Sequence, residues 1–89
     1  MTEVYVNGIF TCETDSVSIS RVDRCCVFLP KDGTVVDFLP ETVVFKEYRD
    51  GSYRQIRCHQ VERFQISSQG LHRFWFTKLE ITTTESYGD

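Results

Sequence analysis

The 89-residue chain has little of what marks several specialised classes of protein. Two prolines and five glycines exclude collagen-like and Pro/Gly-rich low-complexity chains. No apolar run approaches the roughly 20 residues of a transmembrane helix. The segment 1–4 carries an acid, Glu3, where a secretory signal would carry a base. We therefore expect a protein of the cytoplasm without membrane contact.

Catalytic and metal-binding motifs are also missing. The chain contains no G-x-S-x-G, H-E-x-x-H, P-loop or G-x-G-x-x-G sequence, and a domain of this size leaves little room for a catalytic pocket. Structural zinc usually takes two closely spaced ligand pairs, whereas Cys58 and His59 are adjacent and would face opposite sides of a strand. We predict that the protein is not an enzyme and binds no metal and no cofactor.

The cysteines, Cys12, Cys25, Cys26 and Cys58, have a simpler interpretation. Disulfides form in oxidising compartments, and nothing in the sequence indicates export. Reduced cysteine is among the most frequently buried residue types and fills small apolar spaces. We expect free thiols in the core.

Turn signals divide the sequence at short intervals: Asn7-Gly8, Lys31-Asp32-Gly33, Asp50-Gly51 and Ser68-Gln69-Gly70. The segments between them are rich in β-branched and aromatic residues, and none keeps a helical period. These features predict an all-β protein. The predicted strands span about 3–6, 9–13, 17–29 with a bend near 23–24, 34–38, 42–48, 53–59, 61–67 and 71–83.

The turns also predict strand registers, because a slip of one residue moves every side chain to the other face of the sheet. A two-residue loop at Asp50-Gly51 pairs apolar with apolar and acid with base residues. The pairs that it predicts are Val43–Cys58, Val44–Arg57, Phe45–Ile56, Lys46–Gln55, Glu47–Arg54 and Tyr48–Tyr53.

Three further turns are interpreted in the same way. A three-residue loop at 68–70 predicts the pairs Arg63–Trp75, Phe64–Phe74, Gln65–Arg73 and Ile66–His72. The Asn7-Gly8 turn predicts the pairs Val6–Ile9 and Tyr5–Phe10. A three-residue hairpin loop at 31–33 sets Cys26, Phe28, Val36 and Phe38 on one face.

Consecutive hairpins make an antiparallel meander, and a flat meander of this length would expose long edges. We expect residues 1–84 to form a single β-domain that closes into a compact barrel of the SH3-like or OB-like size class, or into a tight sandwich. Residues 85–89 are expected to be a frayed tail.

Charge is unevenly distributed along the chain. The whole chain carries −3, but residues 49–78 contain six Lys/Arg against two Asp/Glu. This basic segment also holds the one tryptophan. Arginine, tyrosine and tryptophan on one surface suit interface hot spots and base-stacking platforms alike, although they also occur on ordinary solvated faces. The candidate binding residues on the predicted outward rows are Tyr53, Arg57, Arg63, Arg73 and Trp75.

These observations favour a small non-enzymatic binding module that acts on another protein through an exposed sheet face. Stand-alone β-domains of this kind are often accessory or inhibitor proteins of phages or mobile elements, and we expect such a role. The alternative is a nucleic-acid or nucleotide binder that uses residues 49–78. A third interpretation is homo-oligomerisation through strand edges.

Overall fold

The computed structural model describes residues 1–84 as an antiparallel barrel, closed in the order β1-β2-β3-β6-β5-β4. The strands are β1 (Thr2–Val6), β2 (Ile9–Ser20), β3 (Cys25–Pro30), β4 (Thr42–Arg49), β5 (Ser52–Ile66) and β6 (His72–Thr84). The predicted all-β class and the closed small barrel are confirmed. The predicted tail, 85–89, lies outside the described residues. Within residues 1–84, no helix is long and apolar enough to cross a membrane.

Local turn chemistry explains the hairpins that the sequence predicts correctly. Asp50 and Gly51 both have positive φ angles, 47° and 79°, as a type I′ turn requires. The pairing of β4 with β5 follows the predicted register throughout. Asn7 and Gly8 repeat this geometry with φ angles of 52° and 81°, and Val6 pairs with Ile9 as predicted.

The hairpin of β5 and β6 also has the predicted register around residues 68–70. Ser67 donates its N–H to the carbonyl of Leu71 at 2.9 Å and closes the loop. The pairs Arg63–Trp75, Phe64–Phe74, Gln65–Arg73 and Ile66–His72 are all present. The side chains near this loop therefore face the predicted sides of the sheet.

The hairpin predicted at residues 31–33 is wrong, because 34–38 is not a strand. Both edges of β3 are already occupied: Phe28 pairs with Val17 on β2 and with His72 on β6. Asp32 accepts the N–H of Thr34 at 3.0 Å, which makes a local turn instead of a ladder.

The segment 31–41 connects the two halves of the barrel. The N–H of Val36 donates to Nε2 of His72 at 2.9 Å, and Val36 is buried in the core cluster. Phe38, predicted on the same face, is 50% exposed. Further on, Asn7 Oδ1 accepts the N–H groups of Glu41 and Thr42 at 2.8 and 3.2 Å. The segment thus leads into β4, which pairs with β1.

The predicted strand boundaries are wrong in three places. No break separates 9–13 from 17–20, because both belong to β2. The predicted strand 17–29 is divided in two, because the bend predicted near 23–24 is a full turn at 21–24, where Arg24 has a φ of 53° and Ser20 Oγ accepts the N–H of Asp23 at 3.0 Å. This turn has neither glycine nor proline, so it carries no strong sequence signal. Conversely, 53–59 and 61–67 belong to one strand, β5, which bends where Gln60 adopts a φ of 55° and the register shifts after Val61.

The core fills the barrel with aromatic rings and thiols. Phe28 contacts Phe45 edge to face, with ring centres 5.3 Å apart, and stacks on Phe74 at 5.9 Å. All the cysteines are free and buried, which confirms that expectation. Burial raises the pKa of Cys12 to about 11, and a hydrogen bond with Cys58, together with burial, raises the pKa of Cys26.

Candidate functional site

Three of the five candidate residues meet on the outer surface of β5 and β6. Arg63 and Trp75 are direct cross-strand partners. The guanidinium carbon of Arg63 lies 3.8 Å from the centre of the indole ring, and that of Arg73 lies 5.7 Å from it. Both distances fall within the range of attractive cation–π contacts. We call Arg63, Arg73 and Trp75 the Arg–Trp cluster.

Strand alternation explains why these three side chains share one face. Successive residues of a strand point to opposite sides, and Phe74, between Arg73 and Trp75, is 0% exposed in the core. Phe64 packs against the same core from β5. Arg63 and Arg73 are therefore exposed, and Trp75 is half-buried.

Aliphatic side chains flank the cluster. Val27 on β3 pairs with Arg73, and the outward row continues to Leu29 and Leu71, which are 50% and 40% exposed. Large apolar side chains at the surface, next to arginine and tryptophan, give the composition of a contact site. We call the Arg–Trp cluster together with these three aliphatic residues the basic aromatic face.

The positive charge of the face is not neutralised within residues 1–84. Neither Arg63 nor Arg73 forms an ion pair there; the pairs in this part of the chain are Lys31–Asp15, Arg54–Glu47 and His59–Glu80. Two guanidinium groups thus keep hydrogen-bond donors available for an external acceptor.

The other two candidate residues, Tyr53 and Arg57, lie elsewhere. They belong to the part of β5 that pairs with β4, before the bend at Gln60. Tyr53 lies ten positions before Arg63 along β5, which corresponds to about 30 Å of strand length. The five candidate residues therefore do not form one site.

Tyr53 belongs to a cluster of tyrosines that the sequence does not reveal. Its ring centre lies 5.2 Å from that of Tyr48. Tyr48 and Tyr5 both donate a hydrogen bond to Oε1 of Glu3, at 3.3 and 3.1 Å. Burial, followed by the effect of Glu3, raises the pKa of Tyr5. The predicted Tyr48–Tyr53 pair was a partial signal, but Tyr5 joins it only through the pairing of β1 with β4.

The imidazole ring of His72 is hydrogen-bonded to the backbone on both sides. Its Nδ1 donates to the carbonyl of Gly70 at 2.8 Å, and its Nε2 accepts the N–H of Val36 at 2.9 Å. The ring stacks on Phe28, with centres 5.1 Å apart. Both ring nitrogens are occupied by backbone groups, so this histidine has none left for a substrate.

Within residues 1–84, no three His, Cys, Asp or Glu residues lie close enough together to hold a metal ion. No protein-family model, curated protein or solved structure matches the chain. The basic aromatic face is therefore the candidate functional surface.

Proposed function

We propose that the protein is a non-enzymatic binding module that acts on another protein through the basic aromatic face. The observation that carries this proposal is the Arg–Trp cluster, in which Arg63 stacks on Trp75 at 3.8 Å beside Arg73. Tryptophan and arginine dominate the binding energy of many interfaces. Ordering the two side chains against each other before binding reduces the entropy lost when a partner docks.

The chemistry of the face indicates its partner. Arg63 and Arg73 have no carboxylate partner within residues 1–84, and guanidinium groups bind carboxylates with two parallel hydrogen bonds. Leu29 and Leu71 offer apolar area beside them. A partner protein with one or two acidic residues next to an apolar patch fits both features.

The geometry favours a protein over a nucleic acid. A nucleobase would stack on an open aromatic face, whereas the guanidinium of Arg63 already covers the indole of Trp75 at 3.8 Å. The basic residues of segment 49–78 also do not form one continuous surface. Arg54 is paired with Glu47, and Arg57 lies on the part of β5 before the bend.

The proposal includes a cytoplasmic location and an accessory or inhibitor role, such as a phage or mobile element would encode. The free buried cysteines support a reducing compartment. A module with a single binding face acts by occupying a partner's surface, which is how accessory and inhibitor proteins work.

The proposal is tested by immobilising the wild-type chain and its variants and comparing which proteins each retains from a lysate of the native host. A protein that the wild-type chain retains should be lost with Arg63→Glu and with Trp75→Ala. Arg57→Glu is the matched control, because Arg57 is also an exposed outward arginine of β5, and this variant should retain the protein. Treatment with nuclease should leave capture unchanged. Equal loss in all three variants, or loss on nuclease treatment, would contradict the proposed face or its protein partner.

A further inference from the structure

β6 has one edge that is only partly covered. β5 pairs with β6 from Thr84 back to His72, but β3 pairs only with residues 72–75. Phe76 donates its N–H to the carbonyl of Arg24 at 2.9 Å. Beyond that contact, no strand within residues 1–84 pairs with the second edge of 77–84. An open edge can pair with another strand.

The backbone groups at this edge follow from the hydrogen-bond alternation of antiparallel sheets. Arg49 and Ser52 flank a two-residue turn, so they form a hydrogen-bonded pair. The backbone N–H and C=O groups of the alternate residues of β5 then bond to β6. These are residues 53, 55, 57 and 59, and their partners on β6 are residues 84, 82, 80 and 78, respectively. The N–H and C=O groups of Leu79, Ile81 and Thr83 consequently point away from β5 towards the open edge.

Two exposed charges of opposite sign stand on this edge. Lys78 forms no ion pair within residues 1–84. The side chain of Glu80 is 50% exposed, and its Oε1 lies 2.5 Å from Nε2 of His59, a close contact that is poorly aligned for a hydrogen bond. The residue between them, Leu79, packs against the core.

We propose that two copies of this chain associate by antiparallel pairing of β6 over residues 77–81, about a two-fold axis at Leu79. In this arrangement Lys78 lies opposite Glu80 of the second copy, and Glu80 lies opposite Lys78 of the second copy. Self-complementary contacts of this kind are what a two-fold interface requires. The N–H of Phe76 points to this same edge and is already bonded to Arg24, so the alternation of the backbone groups shifts between Phe76 and Lys78. The pairing therefore ends at residue 77.

The charges select this register over its neighbours. Moving the axis to Lys78 or to Glu80 places like charges directly opposite each other, which destabilises a strand pair. Moving it to Ile81 leaves both charges opposite threonines, 82 and 84. The register centred on Leu79 is the one that forms two opposite-charge pairs.

Apolar side chains next to the open edge also favour a second copy of this chain as the partner. Ile81 is 36% exposed. It lines an open groove of about 470 Å³ together with Val17, Ile19, Arg21, Arg54 and Ile56. A second copy of β6 would bring its own Leu79 and Ile81 to this groove. The dimer leaves both Arg–Trp clusters uncovered, since these residues precede Phe76 on β6 or lie on the far part of β5, so this inference does not depend on the proposed function.

Charge reversal tests the register by sedimentation velocity of the full chain over a concentration series. Lys78→Glu and Glu80→Lys should each weaken self-association by about tenfold or more, because each dimer contains two such pairs. The double variant Lys78→Glu/Glu80→Lys should recover it. An equimolar mixture of the two single variants should form a heterodimer, since two carboxylates of one chain then face two ammonium groups of the other. A dimer that is indifferent to these changes would overturn the register.

An edge-blocking variant tests the pairing without reference to register. The N–H of Ile81 points away from β5, so Ile81→Pro removes no bond of the β5–β6 ladder but blocks addition of a strand. Ile81→Ala is the matched control, because it shortens the side chain and keeps the N–H. We expect a folded monomer for Ile81→Pro, judged by circular dichroism, and a dimer for Ile81→Ala. A wild-type chain that stays monomeric at millimolar concentration would overturn the proposal.

Discussion

At the scale of single residues, His72 illustrates how one side chain can hold a connection in place. It lies in the core at 0% exposure and joins two chain segments through backbone hydrogen bonds to Val36 and Gly70. Accepting the N–H of Val36 requires an unprotonated Nε2, so the fold depends on the neutral imidazole.

This dependence predicts a loss of stability in mild acid. Burial lowers the pKa of His72 from 6.5 in the folded chain. A lowered pKa means that the unfolded chain binds the proton more readily, so the contribution of His72 is complete above pH 6.5 and decreases as the pH falls below it. His72→Gln cannot titrate but offers an acceptor to Val36. Its melting temperature should therefore fall less than that of the wild type between about pH 7 and pH 5, and equal slopes would contradict this role.

Trp75 and Phe74 are neighbours with opposite expected effects. Phe74→Ala should cost about 3–5 kcal/mol of unfolding free energy, because it leaves a cavity in the core. Trp75→Ala should cost about 1 kcal/mol or less, since the ring lies on the outer surface, yet weaken partner binding by about 2 kcal/mol or more. Urea unfolding of both variants measures the two losses of unfolding free energy. If Trp75→Ala proved as destabilising as Phe74→Ala, the Arg–Trp cluster would be structural.

At the scale of elements, a connecting segment of the barrel is held in place by side-chain hydrogen bonds from a turn. The turn of β1 and β2 holds the long segment 31–41 through one side chain, Asn7. Its Oδ1 accepts two N–H groups, from Glu41 and Thr42. Asn7 also has a φ of 52°, a conformation that asparagine tolerates better than most residues.

We expect Asn7→Ala to lower the unfolding free energy by about 1–3 kcal/mol, since it removes the shared acceptor and strains the turn. Asn7→Asp keeps the acceptor and the tolerance of positive φ, so it should cost clearly less. Thermal unfolding of both variants at neutral pH makes the comparison. Equal losses in the two variants would show that the acceptor contributes little.

At the scale of the whole molecule, barrel closure protects the thiols. The cysteines are all buried, and Cys26 and Cys58 contact each other from different strands across the interior. The raised pKa values of Cys12, Cys25 and Cys26 keep these three thiols protonated and unreactive.

A thiol reagent should therefore react slowly with the native protein, at a rate that follows the opening of the barrel. Addition of urea should accelerate the reaction of all four thiols together, and a chelator should leave the melting temperature unchanged. Rapid reaction of one thiol under native conditions would indicate a partly open barrel.

The hairpins, and with them the Arg–Trp cluster, follow from the order of residues in the chain. Asp50-Gly51 and the loop at 68–70 allow few backbone conformations, so each turn sets the register of its flanking strands. Once Phe64 and Phe74 face inward, Arg63 and Trp75 must share the outer face. These pairings involve only residues that lie close together in the chain.

The pairings of β1 with β4 and of β3 with β6 became visible only in the folded barrel. No turn links these strands, so their pairing depends on how the whole apolar surface closes. That closure brings Tyr5 to Tyr48. Tyr53 and Arg57 are separated from Arg63 for a different reason, because 53–59 and 61–66 form one continuous strand, β5. Because both edges of β3 are paired, 34–38 cannot form a hairpin with it. Segment 31–41 is instead a connection held by His72.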